Sequence, residues 1–230
     1  MGRWTDGVGL GLRWGMPFVI STGLSGMVFG WLSAQKGISL TLASLMSAIA
    51  FSGTAQLTTI QFWGDALPLA AILLAAASVN ARYLAMGAVL RPLLAPGGGH
   101  RPGPRHYGLM ALLTDPGWVL ALKASQTGRD TWGVLLGSSL GMYVAWIAGT
   151  TIGHVLPKPP EGYLATAAGF LTLTMFAVML PDLWKGRRDL PGWVVAVLVA
   201  ALALPWIGTS WAVLAGGFTG ALVRMAGDER

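Results

Sequence analysis

Long uncharged segments dominate the pattern of hydrophobic and polar positions along this chain. Five of them contain no Asp, Glu, Lys or Arg, and they cover residues 14–35, 37–64, 131–157, 162–181 and 190–223. A helix needs about 20 apolar residues to cross the hydrocarbon core of a membrane. Only helices satisfy their own backbone groups over such lengths, and the strict alternation of a barrel strand is absent. The pattern therefore predicts an all-α polytopic membrane protein.

Turn residues and charges divide these segments into helices. We predict spanning helices near residues 15–34, 39–63, 66–94, 131–155 and 163–184, and two more within 190–226 that separate near Pro205–Gly208. Arg3 and Arg13 before the first apolar run also fit a signal peptide. That run is long for a signal sequence and further apolar segments follow at once, so we favour a retained helix.

Two of the apolar segments are interrupted near their centres. Gly53 lies beside Ser52, Thr54 and Gln56 in the second segment, which favours a kink or break there. Residues 107–125 contain Thr114-Asp115-Pro116-Gly117, which ends one helix and begins another. We predict a re-entrant segment at that point. The expected fold is about seven transmembrane helices plus this re-entrant segment, in a single permease domain over residues 1–230.

The basic residues predict an orientation and a repeat. If the loops that contain Lys and Arg are cytoplasmic and the Asp115 segment does not cross, the N-terminus is external and the C-terminus cytoplasmic. Arg3 and Arg13 lie on the wrong side in this arrangement. The similarity of residues 26–31 to residues 141–146 suggests half-repeats over about 14–125 and 131–226. This topology gives the halves opposite orientations, as in the inverted repeats of many secondary transporters.

Composition narrows the class of protein. Hydrophobic residues make up 54% of the chain, charged residues make up 10%, and the net charge is +6. The basic residues sit in short connections and form no surface stripe, so we predict no nucleic-acid partner. The chain has no Cys, and we see no phosphate-binding loop or cluster of metal ligands, so we expect no cofactor and no metal.

An enzymatic function is not favoured. Gly23-Leu24-Ser25-Gly26 resembles the nucleophile motif of an intramembrane serine protease, which requires a histidine base within hydrogen-bond reach. His154 is the candidate base, and it lies near a predicted helix end. Small residues at 23, 26 and 30 are more simply a face for close helix packing.

Arg82, in the sequence Asn80-Ala81-Arg82, is the principal candidate for substrate binding. A guanidinium at the centre of a spanning helix costs roughly 2.5–3.5 kcal/mol on insertion scales, so such a residue normally pairs with a charge or binds a substrate. Its planar fork can hold a carboxylate through two hydrogen bonds. The alternative is that the helix ends early and Arg82 extends to the cytoplasmic surface.

Further polar candidates occur in the two interrupted segments. Gln56 and Ser52 can hydrogen-bond the charged groups of a zwitterion from an opened helix turn, together with Asn80; the alternative is that they only link helices. Asp115 is a candidate proton carrier. An Asp-Pro helix cap with Pro116 explains it equally well.

Several short motifs follow one another in a specific order. They are Gly37-Ile38-Ser39, Leu45-Met46-Ser47, Phe51 to Gln56, Asn80-Ala81-Arg82-Tyr83, Thr114-Asp115, Trp146 to Gly153, and Phe170 to Pro181. In this order and spacing they resemble the azaleucine-resistance (AzlC-like) branched-chain amino-acid exporters. Tyr83 and Pro116 depart from that pattern, standing where the family often has a histidine and an acid.

The resemblance implies a multi-pass permease of the bacterial inner membrane. Such a protein exports leucine, isoleucine and valine, and in some cases methionine, together with a small hydrophobic partner subunit (AzlD-like). The site residues would then be Ser52, Gln56, Asn80 and Arg82 for the substrate and Asp115 for proton coupling. Two alternatives are a permease for another small solute and a non-transporting membrane scaffold subunit. A homo-oligomer is also compatible with the sequence.

Overall fold

The computed structural model describes residues 2–64, 69–94, 104–157 and 186–228, together with 166, 170 and 177. The first compact unit ends at Asp182, and a second begins at Leu183. Helices in the first unit are α1 (Gly2–Gln35), α2 (Leu40–Ile49), α3 (Gly53–Gln61), α4 (Leu69–Asn80), α5 (Arg82–Leu94), α6 (Pro104–Ala111), α7 (Asp115–Gln126) and α8 (Thr131–Val155). The second unit contains a 3-10 turn (Arg187–Asp189) and α9 (Leu190–Asp228). The helix predicted over 163–184 otherwise lies outside the described residues.

Helices α1 and α8 pack side by side with their backbones in contact. A Cβ atom at Gly26 would lie 2.6 Å from the Trp146 carbonyl oxygen, and one at Gly30 would overlap the Thr150 carbonyl oxygen. Gly149 meets the backbone of α1 at Gly23 in the same way. Small residues allow this approach, which gains dispersion contacts between helices in a membrane. The close-packing face that the sequence predicts at residues 23, 26 and 30 is therefore confirmed at Gly26 and Gly30.

These contacts show that α1 and α8 run in the same direction. Gly7 lies beside Gly133 near the start of both helices, and Gly30 lies beside the backbone of His154 near the end of both. We name the two ends of the first unit after α8 residues: the Asp130 end, where both helices begin, and the His154 end, where both finish. Both helices are long and apolar enough to span a membrane.

Helices α2 and α3 form a hairpin that enters the bundle from the His154 end and returns to it. Next to the start of α2, the Ile38 carbonyl lies 2.7 Å from Nε2 of His154. At the end of α2, Tyr143 donates to the Ala48 carbonyl at 2.8 Å, which places the tip near mid-depth. Beyond α3, the Trp63 carbonyl accepts a hydrogen bond from Lys36 at 3.5 Å. The chain has therefore reversed direction.

This hairpin corrects the sequence-based expectation of one kinked helix that crosses over residues 39–63. A break near Gly53 was predicted, but the chain turns back there, at residues 50–52. Each arm has only 10 or 9 residues, against about 20 needed to span a membrane. The second arm buries Ile60 against Phe29 and Ile38. That packing holds α3 at the His154 end.

Helices α4 and α5 cross the bundle once, with a break at Ala81. Asn80, the last residue of α4, accepts a hydrogen bond from Ser52 at the tip of the α2–α3 hairpin. The end of α5 lies at the opposite side of the unit, because the Leu94 carbonyl accepts a hydrogen bond from the Trp132 indole at 3.1 Å. The 12 and 13 residues of the two helices suffice for one crossing.

Helices α6 and α7 form a second hairpin, which enters from the Asp130 end. The His106 ring lies 5.3 Å from the ring of Trp132, near the start of α6. The turn between the helices reaches mid-depth, where Thr114 contacts the Met142 sulfur at 3.7 Å. Near the end of α7, Lys123 lies over the ring of Trp14. The sequence-based expectation of a re-entrant segment around Asp115 is thus correct for the described residues.

The two hairpins change the predicted topology. Up to Val155, the described chain runs the length of the unit three times, through α1, α4–α5 and α8, and two hairpins enter the unit and return; of the three, α1 and α8 are single helices long and apolar enough to span a membrane. The count of about seven crossings is not confirmed.

The positions of the basic residues change the predicted orientation. Arg91, Lys123 and Arg129 lie toward the Asp130 end, where α1 also begins. The positive-inside rule then assigns the start of α1 to the cytoplasm, not to the exterior as expected, and Arg13 no longer conflicts with the rule.

The inverted arrangement also differs from the expected one. An inverted repeat of residues 26–31 and 141–146 requires antiparallel helices, but α1 and α8, which contain them, are parallel. The opposite orientation expected for these two segments is therefore wrong. Opposite directions are found instead between α1 with its α2–α3 hairpin and α4–α5 with its α6–α7 hairpin. The division into half-repeats over 14–125 and 131–226, and the single permease domain, stay predictions.

The second unit is a helical hairpin closed by an ion pair. A straight helix over Leu190–Asp228 would separate Gly192 from Gly220 by about 42 Å. A Cβ at Gly192 would nevertheless lie 2.8 Å from the Gly220 carbonyl oxygen, so the chain doubles back between them, as predicted near Pro205–Gly208. Arg224 binds Asp189 at 2.7 Å across the open end.

The hairpin topology can be tested with single cysteines, because the chain has none of its own. We expect Lys36→Cys and Gly64→Cys to react with a membrane-impermeant maleimide from outside intact cells. Thr127→Cys should react only after permeabilisation. If Gly64→Cys reacts from the side opposite Lys36→Cys, residues 39–63 cross the membrane after all.

The seam between α1 and α8 predicts which glycines tolerate a side chain. Gly149→Leu forces the helices apart, because its side chain meets the Gly23 backbone, and we expect it to destabilise the protein by about 1–3 kcal/mol. Gly9→Leu is the matched control, since nothing lies within 4 Å of a Cβ there. Thermal unfolding in detergent measures both. Equal melting temperatures for the two variants would contradict the seam.

Candidate functional site

Three interruptions of helical structure meet at mid-depth in the first unit. They are the turn of the α2–α3 hairpin at Ser52, the break at Ala81 between α4 and α5, and the turn of the α6–α7 hairpin at Thr114. Each is followed by the first residue of a helix, so the N-terminal ends of α3, α5 and α7 lie close together. The first N–H groups of a helix have no partner within it, and the helix dipole adds positive character there. The arrangement favours bound negative charge.

Arg82 and Asp115 form an ion pair at this junction. Nη2 of Arg82 lies 3.0 Å from Oδ2 of Asp115, which joins the start of α5 to the start of α7. The Arg82 side chain is 32% exposed and that of Asp115 is 15% exposed. Arg82 therefore does not extend to the cytoplasmic surface, and the expectation that it pairs within the bundle is the correct one. Its Nε atom is buried and has no hydrogen-bond partner.

The cap of α7 comes from Thr114. Its hydroxyl accepts a hydrogen bond from the Gly117 N–H at 3.1 Å, and Pro116 follows in the first turn, where its missing N–H costs nothing. The sequence-based alternative assigned this cap to Asp115. Because Thr114 fills the position, the Asp115 carboxylate is left to pair with Arg82.

Ser52 and Asn80 join the first hairpin to the crossing helix. The Ser52 hydroxyl donates a hydrogen bond to Oδ1 of Asn80 at 2.7 Å. Ser52 stands at the N-cap position of α3, but its side chain makes no capping hydrogen bond. The Ser52 side chain therefore does not cover the first N–H groups of α3, at Gly53 and Thr54.

A cavity of about 240 Å³ lies at this junction; we call it the Arg82 cavity. Its volume is below the roughly 300–1,000 Å³ of drug-sized pockets, which suits a small solute. Lining residues come from α1, both hairpin turns, α5 and α8: Ser21, Thr22, Ser25, Val28, Phe51, Ser52, Gly53, Thr54, Leu57, Arg82, Tyr83, Thr114, Asp115, Pro116, Met142 and Trp146. Among the predicted site residues, the cavity brings together Ser52, Arg82 and Asp115.

Gln56 and Asn80 lie at a second cavity, of about 390 Å³, on the other side of the hairpin turn. We call it the Met110 cavity. Its lining is mostly apolar: Met46, Ala50, Phe51, Ser52, Ala55, Gln56, Thr59, Ala76, Asn80, Tyr83, Met110, Ala111 and Leu113. The predicted substrate-binding residues are therefore divided between two adjacent cavities.

Gln56 is part of a closed ring of hydrogen bonds. Its Nε2 donates to the Ser47 hydroxyl at 3.2 Å, and that hydroxyl lies 2.9 Å from the hydroxyl of Thr150. Thr150 donates to the Trp146 carbonyl, and the Trp146 indole donates to Oε1 of Gln56 at 2.8 Å. The ring joins α2, α3 and α8. Direct contact of Gln56 with a substrate stays a prediction.

Sequence reasoning missed the contribution of α1. Ser21, Thr22 and Ser25 line the Arg82 cavity from the middle of this long helix. Their spacing was the available signal, because residues three and four apart share one face of a helix. Tyr83 and Trp146, which also line the cavity, appeared in the sequence only as parts of motifs. Within the described residues, no three His, Asp or Glu side chains come together to hold a metal ion.

Comparison with known proteins places this chain among membrane proteins. A family profile described as AzlC protein matches residues 17–159. An uncharacterized membrane protein of Archaeoglobus fulgidus is 28% identical over 211 residues, which cover 90% of each chain. No solved structure is significantly similar. The matched region contains α8, both hairpins and the residues that line the Arg82 cavity.

Breaking the hydrogen-bond ring should destabilise the hairpin. In Trp146→Phe the Gln56 carbonyl loses its donor while it stays buried, so we expect a loss of about 1–3 kcal/mol. Trp211→Phe is the control, because Trp211 is 59% exposed. Thermal unfolding of the purified variants checks this. If both tryptophans can be replaced without cost, the ring does not stabilise the protein.

Proposed function

The chain belongs to the AzlC family, and we propose that it is a secondary transporter that exports branched-chain amino acids across a bacterial inner membrane. Its substrates would be leucine, isoleucine and valine, and also methionine. One observation carries the proposal: an arginine within the bundle, paired with an aspartate, lines a small cavity where two re-entrant hairpins and a broken helix meet. Charged residues at this depth are costly, and they usually mark the path of a substrate or ion.

The Arg82 cavity is suited to a zwitterion. The guanidinium has five N–H donors, and the contact with Asp115 occupies only part of this capacity. The unpaired Nε–H and an adjacent N–H can donate two hydrogen bonds to a substrate carboxylate. The uncapped start of α3 adds backbone donors at Gly53 and Thr54. The Asp115 carboxylate is then available to a substrate ammonium group.

The two hairpins offer a route to alternating access. One enters from the His154 end and the other from the Asp130 end, and their turns meet at the Arg82 cavity. Movement of either hairpin would open the cavity to one side of the membrane only. In this mechanism an ion gradient drives the cycle. Asp115 is the proposed proton carrier, because binding a proton removes its attraction for Arg82.

A small hydrophobic partner subunit (AzlD-like) is part of the proposal. It rests on the family assignment, and we assign no surface to it. Two other functions remain as alternatives to amino-acid export, and the efflux experiment below tests them too: a permease for another small solute, and a non-transporting membrane scaffold. The position of Arg82 at a cavity favours transport over the scaffold, because a scaffold does not require an inward-facing ion pair.

Efflux of labelled leucine from preloaded cells that lack their own exporter tests the proposal. The chain is expressed alone and with its candidate partner subunit. We expect faster efflux of leucine, isoleucine, valine and methionine, and the comparison shows whether the partner is required. If none of these amino acids leaves faster although the protein is in the membrane, the substrate assignment is wrong.

Variants of the ion pair identify the role of Arg82. We expect Arg82→Ala to abolish efflux. The double variant Arg82→Gln with Asp115→Asn leaves no unpaired charge at this position. We therefore expect it to be as abundant as the wild type and as inactive as Arg82→Ala. Arg91→Gln, in the last turn of the same helix, is the control that keeps transport. An abundant, active double variant would show that transport does not require the charges of the pair.

A further inference from the structure

We propose that the Met110 cavity binds the aliphatic side chain of the substrate whose charged groups occupy the Arg82 cavity. This inference rests on the proposed function and deepens it, because it names the residues that select the side chain. The first observation is the position of the two cavities. Phe51, Ser52 and Tyr83 line both of them, so the two cavities adjoin at these residues.

The second observation is that the cavities differ in their free polar groups. Several polar groups of the Met110 cavity are already bonded to protein: the Thr59 hydroxyl donates to the Ala55 carbonyl, Gln56 belongs to the hydrogen-bond ring, and Oδ1 of Asn80 accepts from Ser52. The surface that this cavity offers to a ligand is mostly apolar. The Arg82 cavity, by contrast, contains a guanidinium with an unpaired nitrogen. The pair of cavities therefore suits a molecule with a charged head and an apolar body.

The third observation concerns which residues set the size of the Met110 cavity. Met46 comes from the first hairpin and Met110 from the second, and methionine side chains adapt to differently shaped apolar ligands. Ala55 and Ala76 contribute only a methyl group each, which leaves room for a ligand. This lining fits aliphatic chains of several shapes. Ala76, on α4, is the position at which a larger side chain would fill the space.

Competition for labelled leucine efflux tests the inference. Unlabelled alanine, valine, leucine and methionine, loaded together with the label, compete in cells that express the wild type, Ala76→Leu or Ala77→Leu. Ala77 is the matched control, since it is the next residue of α4 and is exposed. We expect Ala76→Leu to shift the preference from leucine toward alanine by about tenfold or more, the usual effect of filling an apolar pocket. Ala77→Leu should not change the ratio.

The outcomes separate this inference from the proposed function. If the wild type exports leucine but Ala76→Leu keeps the same leucine-to-alanine preference, the side chain binds elsewhere and the inference is wrong. If the wild type exports no amino acid, the proposed function itself has failed. Should Ala76→Leu be absent from the membrane, Ala55→Val tests another lining position of the cavity, on α3, by the same ratio, and an unchanged ratio there overturns the inference.

Discussion

Backbone groups freed by three helix breaks at mid-depth are the constraint on which this fold depends. Lipid cannot satisfy an unpaired N–H or C=O group, so broken helices are tolerated in a membrane only where protein or a polar cavity surrounds them. The parallel pair α1 and α8 provides part of that enclosure, because glycines let the two backbones touch and form a continuous wall. Tyr143 on α8 donates directly to the Ala48 carbonyl near the first break. The close packing of α1 on α8 therefore helps to enclose the irregular backbone at the three breaks.

The same breaks create the chemistry of the site. A continuous helix presents only side chains to its neighbours, whereas a helix that begins at mid-depth also presents N–H groups and the positive end of its dipole. Three such beginnings surround the Arg82 cavity, and the Arg82 guanidinium adds a full positive charge. Asp115 offsets that charge within the protein. A substrate with both signs of charge can replace the contacts of this pair without leaving either side chain alone in a region of low dielectric.

Much of this could be predicted from the sequence, and the failures have a physical pattern. Uncharged runs gave the helices, Thr114-Asp115-Pro116 gave a re-entrant turn, and the cost of a central arginine indicated that Arg82 pairs. The break near Gly53 was located correctly, but the chain was predicted to continue across the membrane after it, whereas it turns back. Local residues determine where a helix ends, whereas distant packing, here of Ile60 against Phe29, determines where the chain goes next. With one crossing fewer, the positive-inside rule assigns the N-terminus to the other side of the membrane. The hydroxyls of α1 gave little signal, because serine and threonine in a helix often bond to their own backbone.

The seam between α1 and α8 has a consequence for the synthesis of the protein. The two helices that touch most closely are separated by residues 36–130. At about 5–20 residues per second, the ribosome needs roughly 5–20 seconds to deliver α8 after α1 is complete. Throughout that interval the glycine face of α1 that later packs on α8 faces lipid or the insertion machinery. Both hairpins are also synthesised before α8 is there to cover them. Because α8 is translated long after α1, the two helices pack together late in assembly. At that step α8 must displace the lipid or insertion machinery that contacts the glycine face of α1.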